Sequence, residues 1–147
     1  MKAGVAISPD TPSTAISDDV ANAADMLLVM TVYPGNSLYF SALLFLILEK
    51  KGRGGQKFLQ RCVPKVAELR NRFPNKDIEV DGGVGPSTID VCAQAGKFYF
   101  LSHHYTHLFL GSNVIVAGTA IFNAPNPEQV IATLKAAVTA AQLKQAT

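Results

Sequence analysis

The chain has little of what most specialised protein classes need. Of its 147 residues only two are cysteines, Cys62 and Cys92. That is too few for a disulfide framework, so a reducing, cytoplasmic location is the expectation. Neither sign of charge is in excess: 13 basic residues stand against 11 acidic ones, a formal net charge of +2. No basic tract or stripe is present, so no nucleic-acid partner is expected. Long hydrophobic runs are missing too. The greasy stretch Leu38–Leu48 falls short of the roughly 18 apolar residues that cross a bilayer, and it has no polar face to lie on one, so no membrane partner is expected. Met1-Lys2-Ala3-Gly4 leads straight into a strand-like run rather than a secretory signal. What is present is a chain 48% hydrophobic and 16% charged, which describes a soluble globular protein with a sizeable core.

Periodicity predicts alternating strands and helices. The apolar runs Ala3–Ile7, Asp25–Val32, Ile78–Asp81 and Asn113–Ala117 each stop at a Pro or Gly turn. Continuous apolar runs with little alternation predict parallel strands buried on both faces. Between them, Leu59, Cys62, Val63, Val66, Leu69 and Phe73 recur at helical spacing, and Ile89, Cys92 and Ala93 share a face behind Pro86, which suits a first helical turn. The last helix is the best marked. Asn126 can cap it, Pro127 fits its first position, Gln129 completes a capping box, and Val130, Leu134, Ala137, Val138 and Ala141 form its apolar stripe. Strand–helix units in series predict a parallel α/β fold, either a doubly wound sheet or a piece of a barrel.

Two segments break the pattern. Asn36–Gly52 contains the greasy run, and Lys97–Gly111 contains all three histidines, His103, His104 and His107. His103 and His107 have the four-residue spacing of zinc ligands on a helix, but no acidic or cysteine partner is near. The expectation is an insert, not a metal site.

Four glycine-bearing strand ends fall in one series: Pro34-Gly35, Gly54-Gly55-Gln56, Asp81-Gly82-Gly83 and Gly118-Thr119. Each alone reads as a turn. Together they suit a phosphorylated small molecule, because glycine lets backbone amides approach an anion at the carboxyl ends of parallel strands. Asp81 ends an apolar strand just before two glycines, a position for an acid/base group or a metal ligand, or for an ordinary turn aspartate. Asp10 and Asp77 read as turn or helix-flanking residues.

In order, the strings Lys2–Ile7, Leu28–Val32, Gly54–Phe58, Ile78–Val84 and Val116–Phe122 resemble ribulose-phosphate 3-epimerases. The resemblance implies an α/β fold that is a partial (βα)8 TIM barrel of the ribulose-phosphate-binding type, holding strands five to eight only, with residues 36–52 and 97–111 as inserts. The family interconverts D-ribulose 5-phosphate and D-xylulose 5-phosphate in the pentose phosphate pathway. It moves a proton beside a ketone with two aspartates and one divalent metal ion, zinc, iron, manganese or cobalt. By resemblance Asp81 is one of those aspartates and a metal ligand, and Met30 packs on the reacting part of the sugar. Gly35, Gly54, Gly55, Gly82, Gly83, Gly118 and Thr119 match loops that hold the sugar phosphate. The second aspartate, the histidine ligands and a substrate-binding serine belong to the family's first four strands. None of this chain's histidines matches those roles, so the chain as given is expected to be inactive, and its two open sheet edges to make it a homo-oligomer.

Removing Asn36–Gly52 or Lys97–Gly111 restores family-like sequence, and each segment follows one glycine and ends in another. Both therefore read as translated short introns, a reading that a mature transcript still coding them would defeat. Arg53 departs from the family pattern even after excision. Two alternatives stay open: a non-catalytic half-barrel that self-associates, and a related barrel acting on another sugar phosphate.

Overall fold

The computed structural model describes residues 1–34, 55–95 and 111–143. Among them, strands β1 (Gly4–Ile7), β2 (Met26–Met30), β3 (Asp77–Asp81) and β4 (Val114–Val116) pair in parallel in the order β1-β2-β3-β4. Helix α1 (Asp18–Ala23) lies between β1 and β2, α2 (Val63–Arg72) between β2 and β3, and α3 (Ile89–Ala93) between β3 and β4. Helices α4 (Thr119–Phe122) and α5 (Pro127–Leu143) follow β4. The expected parallel α/β architecture is present.

Local chemistry sets the helix starts. Ser17 accepts a hydrogen bond from the Val20 amide at 3.3 Å and caps α1, whose first turn carries Asp18 and Asp19. The Gln129 amide donates to the Asn126 side chain at 3.1 Å, so α5 begins at the predicted cap with Pro127 next to it. Three expectations shift. Pro86 sits in a turn closed by bonds from the Thr88 and Ile89 amides to the Gly85 carbonyl, and α3 begins only at Ile89. Leu59 and Cys62 precede α2 rather than sharing its face, because a 3-10 turn occupies Gln60–Cys62. Asp77 is the first residue of β3, not a turn residue, because Asn113 captures it: the Asn113 amide group donates to the Asp77 carboxylate at 2.7 Å.

The larger correction concerns the two faces of the sheet. The strands were expected to be buried on both. Instead burial alternates with the pleat in β2, while in β3 Glu79, on the opposite face, is buried along with Ile78 and Val80. Leu27, Val29, Ile78 and Val80 are 0% exposed and form the core with Val66, Leu69, Ile89 and Leu134 from the helices. On the opposite face Gly4 and Ala6 are exposed, Met26, Leu28 and Met30 are half-buried, and Val116 is 40% exposed. None of these joins the core. The helices of the described residues cover one face and leave the other uncovered.

On the covered side, α2 and its flanks fasten the β1–β2 connection through cations. The Lys65 ammonium donates to the carbonyls of Ser8, Pro9 and Thr11 at 2.8–3.1 Å. Arg72 reaches the carbonyls of Ser13 and Ile16, and Lys76 those of Asn22 and Ala24. Arg70, buried, donates to the carbonyls of Pro74, Lys76 and Gly111 and to the Asn113 side chain.

Both cysteines are buried and free. Burial pushes the Cys92 thiol up to about 12 and raises that of Cys62 as well. A thiol is reactive only as the thiolate. The folded chain should therefore resist labelling by a disulfide-exchange reagent at pH 8, with two thiols appearing only on denaturation. Rapid labelling of the native chain would show that this core is not formed.

Candidate functional site

The register brings three residues into a row at the carboxyl ends of the strands. Met30 is paired with Asp81, and Asp81 with Val116. The row lies on the uncovered face, since Met30 and Asp81 alternate with the buried Val29 and Val80. Two residues beyond Val116 comes Gly118, which leads into α4 at Thr119. Met30, Asp81, Gly82, Gly83, Gly118 and Thr119 are thus gathered at one end of the sheet. Gly55 is described at the exposed loop that precedes α2, with positive φ and open space around it. Gly35, Gly54, Arg53 and the three histidines lie outside the described residues.

Behind Asp81 stands a clamp that sequence reasoning missed. Thr31, 0% exposed, donates its amide to the Asp81 carbonyl at 2.8 Å. Its hydroxyl is shared between the carbonyls of Asp81 (3.0 Å) and Gly82 (2.6 Å). The Leu59 amide in turn donates to the Thr31 carbonyl at 2.8 Å. The backbone at Asp81 is fixed from β2, while its half-exposed carboxylate accepts no hydrogen bond from the described residues and stays available for chemistry.

The glycines beyond Asp81 are required by geometry. Gly82 has φ +118° and Gly83 φ +66°, a region that side-chain-bearing residues avoid. A Cβ on Gly82 would overlap the Val32 side chain, and one on Gly83 would stand 2.6 Å from the Phe58 amide nitrogen. Gly118 differs: its φ is −94° and a Cβ there meets nothing within 4 Å.

At the rim, Arg61 donates to Asp10 at 2.8 Å and to the Tyr33 hydroxyl at 2.6 Å, and the Tyr33 hydroxyl donates to Asp10 at 3.1 Å. The Arg61 hydrogen bond holds the Asp10 carboxyl below its usual range. Asp10 is a turn residue, as expected, with the added task of tying the loops after β1 and β2 together. Below Asp81 on β3, burial raises the carboxyl of Glu79, and the neighbouring Asp81 charge raises it further.

A metal centre is not complete here. Among the described residues no group of three or more His, Cys, Asp or Glu side chains is placed to hold a metal ion. Asp81 offers one oxygen donor, and the described residues alone do not fit the group that the resemblance implies.

Residues 38–122 match the sequence profile of the ribulose-phosphate 3 epimerase family, and the chain belongs to that family. It is 39% identical over 142 residues to a ribulose-phosphate 3-epimerase of Schizosaccharomyces pombe, covering 97% of this chain and 48% of that protein. It is 38% identical over 146 residues to the cytoplasmic isoform of Oryza sativa subsp. japonica, covering 98% of this chain and 50% of the relative. With the chloroplastic ribulose-5-phosphate-3-epimerase of Arabidopsis thaliana it shares 32% over 139 residues, covering 92% of this chain and 38% of the relative. The chain therefore spans about half the length, or less, of these curated relatives. Among solved structures, the crystal structure of the Amycolatopsis orientalis BexX/CysO complex contains a similar fold, with TM-score 0.52 and 18% identity over 95% of this chain and 42% of that one.

The glycine geometry yields a paired test. Gly82→Ala should cost about 1–3 kcal/mol of stability, because it combines a positive φ with a clash. Gly118→Ala should stay within about 0.5 kcal/mol, because its Cβ points into open space. Thermal unfolding of the two variants measures the difference, and equal losses would misplace the strained turn.

Proposed function

We propose that this chain is strands five to eight of a ribulose-phosphate 3-epimerase barrel, and that the completed barrel interconverts D-ribulose 5-phosphate and D-xylulose 5-phosphate. The observation that carries this is the row Met30–Asp81–Val116 on an uncovered sheet face with glycine turns directly beyond it. The reaction breaks the C–H bond beside a ketone. The proton passes to a carboxylate on one face, the electron pair moves into the enediolate, and a proton returns from the opposite face. Asp81, fixed through its backbone and free at its carboxylate, serves one of those faces. The amides at Gly82, Gly83, Gly118 and Thr119 suit the sugar phosphate. The other face needs a second acid/base group, and the described residues place none opposite Asp81. A coupled assay for xylulose 5-phosphate should therefore find no conversion by this chain. In a chimera completed with the first half of the S. pombe relative, Asp81→Asn should lower turnover about a thousandfold. Conversion by the chain alone, or full turnover by the variant, would overturn the reading. Among the described residues the outer edges of β1 and β4 have no strand partner, which favours one second reading, a non-catalytic half-barrel that self-associates; it predicts an inactive chimera.

The domain reading treats residues 36–52 and 97–111 as inserts in one partial barrel. At the second site the flanks meet. The amides of Ala95 and Ser112 both donate to the Cys92 carbonyl, at 3.5 and 3.1 Å, and the Gly111 amide donates to the Ala93 carbonyl. A Cβ on Gly111 would overlap that Cys92 carbonyl, so only glycine fits there. Excising Lys97–Gly111 leaves Gly96 to take the same place. At the first site the Gln56 side chain donates to the Tyr33 carbonyl at 3.0 Å, holding those flanks together. A chain lacking both segments should keep its circular dichroism spectrum and unfold at a higher temperature, since shorter loops close at lower entropic cost. Loss of the fold on excision would make the segments part of it.

A further inference from the structure

The Thr31 hydroxyl has one proton and two carbonyls within reach. The Asp81 carbonyl already receives the Thr31 amide at 2.8 Å. The Gly82 carbonyl, 2.6 Å from the hydroxyl, has no other donor among the described residues. The proton therefore serves the shorter contact, and the Gly82 carbonyl depends on it.

That carbonyl belongs to the peptide unit joining Gly82 to Gly83. In a trans peptide the N–H points opposite to the C=O. With the Gly82 carbonyl turned to Thr31, the Gly83 amide is turned away from it, and among the described residues it donates to no acceptor. Both flanking residues are glycines at positive φ, at +118° and +66°. A peptide between two glycines has little of its own to choose one orientation over another. Packing fixes where the turn lies: Val32 stands against Gly82, and the backbone of Gln56 and Phe58 against Gly83. The hydrogen bond from Thr31 fixes which way its amide faces.

We propose that Thr31 is a positioning residue for the phosphate end of the substrate: its buried hydroxyl, by holding the Gly82 carbonyl, keeps the Gly83 amide turned out as a donor for a phosphate dianion. An amide presented from a positive-φ turn is suited to an anion. Thr31 also holds the Asp81 carbonyl, through its amide and its hydroxyl. One side chain thus sets the relation between the carboxylate that moves the proton and the amide that grips the anion. The inference rests on the epimerase reading and deepens it by naming what orients the phosphate donor.

The probe is inorganic phosphate, titrated into this chain and followed in amide proton–nitrogen correlation spectra. Without phosphate, the Gly83 amide should exchange with solvent about a hundredfold faster than the Thr31 and Leu59 amides, which are bonded to carbonyls. Phosphate should shift the Gly83 resonance. Thr31→Val keeps the shape and removes the hydroxyl, and should weaken phosphate about tenfold. Thr31→Ser keeps the hydroxyl and should bind phosphate as the unsubstituted chain does. Circular dichroism reports whether each variant is folded; if Thr31→Val is not, the exchange rates and Thr31→Ser decide. Unchanged affinity in Thr31→Val, a tenfold loss in folded Thr31→Ser, or a Gly83 amide protected in the phosphate-free chain overturns the inference and leaves the epimerase reading standing. Phosphate that moves neither the Gly83 nor the Gly118 amide of the unsubstituted chain overturns the inference together with the placing of the sugar phosphate at these turns.

Discussion

Parallel strands hold together when both faces of their sheet are covered, because their pairing is weaker per residue than antiparallel pairing and their side chains are apolar on both sides. Here the described helices cover one face. Leu27, Val29, Ile78 and Val80 meet α2, α3 and α5 in the core, and the alternate residues meet none of them. The remaining features depend on this asymmetry. Asp81, at the end of β3 on that face, is half-exposed, whereas Glu79 two residues earlier is buried and finds no donor among the described residues. Among the described residues the outer edges of β1 and β4 also remain unpaired.

The covered face is secured by more than apolar contact. The β1–β2 connection, residues 8–25, contains only a 3-10 turn and the short helix α1, so many of its carbonyls find no helical partner. Burying such groups unpaired is costly. Lys65, Arg72 and Lys76 answer them from α2 and its end. Asn113 does related work at the start of β3 and β4. It accepts from the Ile78 amide and from Arg70 and donates to Asp77, joining strand, helix and loop through one side chain.

Much of this was legible in the sequence, for identifiable reasons. Strand positions follow from apolar runs ending at Pro or Gly, and the start of α5 from Asn126, Pro127 and Gln129, because those signals are local. Asp81 stood out because a carboxylate between an apolar run and two glycines is uncommon. Thr31 was not legible: its partners are 50 and 51 residues away, and only the β2–β3 register brings them together. Lys65 was not legible either, since nothing local shows that three carbonyls converge on it. The one-sided burial was missed because a strand that is to be covered on both faces has the same apolar run whether or not its second cover is present. Pro86 misled because a proline suits a tight turn as well as a first helical turn.

The segregation of charge also bears on how a phosphate would be held. A net charge of +2 suggests spare cations. Yet Arg61, Lys65, Arg70, Arg72 and Lys76 are committed to carbonyls or carboxylates that fasten loops. The uncovered face carries the opposite sign along β3. Lysines drawn from the fastening set would leave carbonyls unsatisfied behind them, whereas Lys57, exposed in the loop whose Phe58 amide abuts Gly83, makes no hydrogen bond with the described residues. Backbone amides at glycines are the donors that reach an anion without side chains in the way. Gly82 and Gly83, however, are already required by the backbone, through their positive φ and the close approach of Val32 and Phe58. Gly118 differs: a Cβ there would meet nothing within 4 Å, so the fold itself makes no demand for glycine at that position.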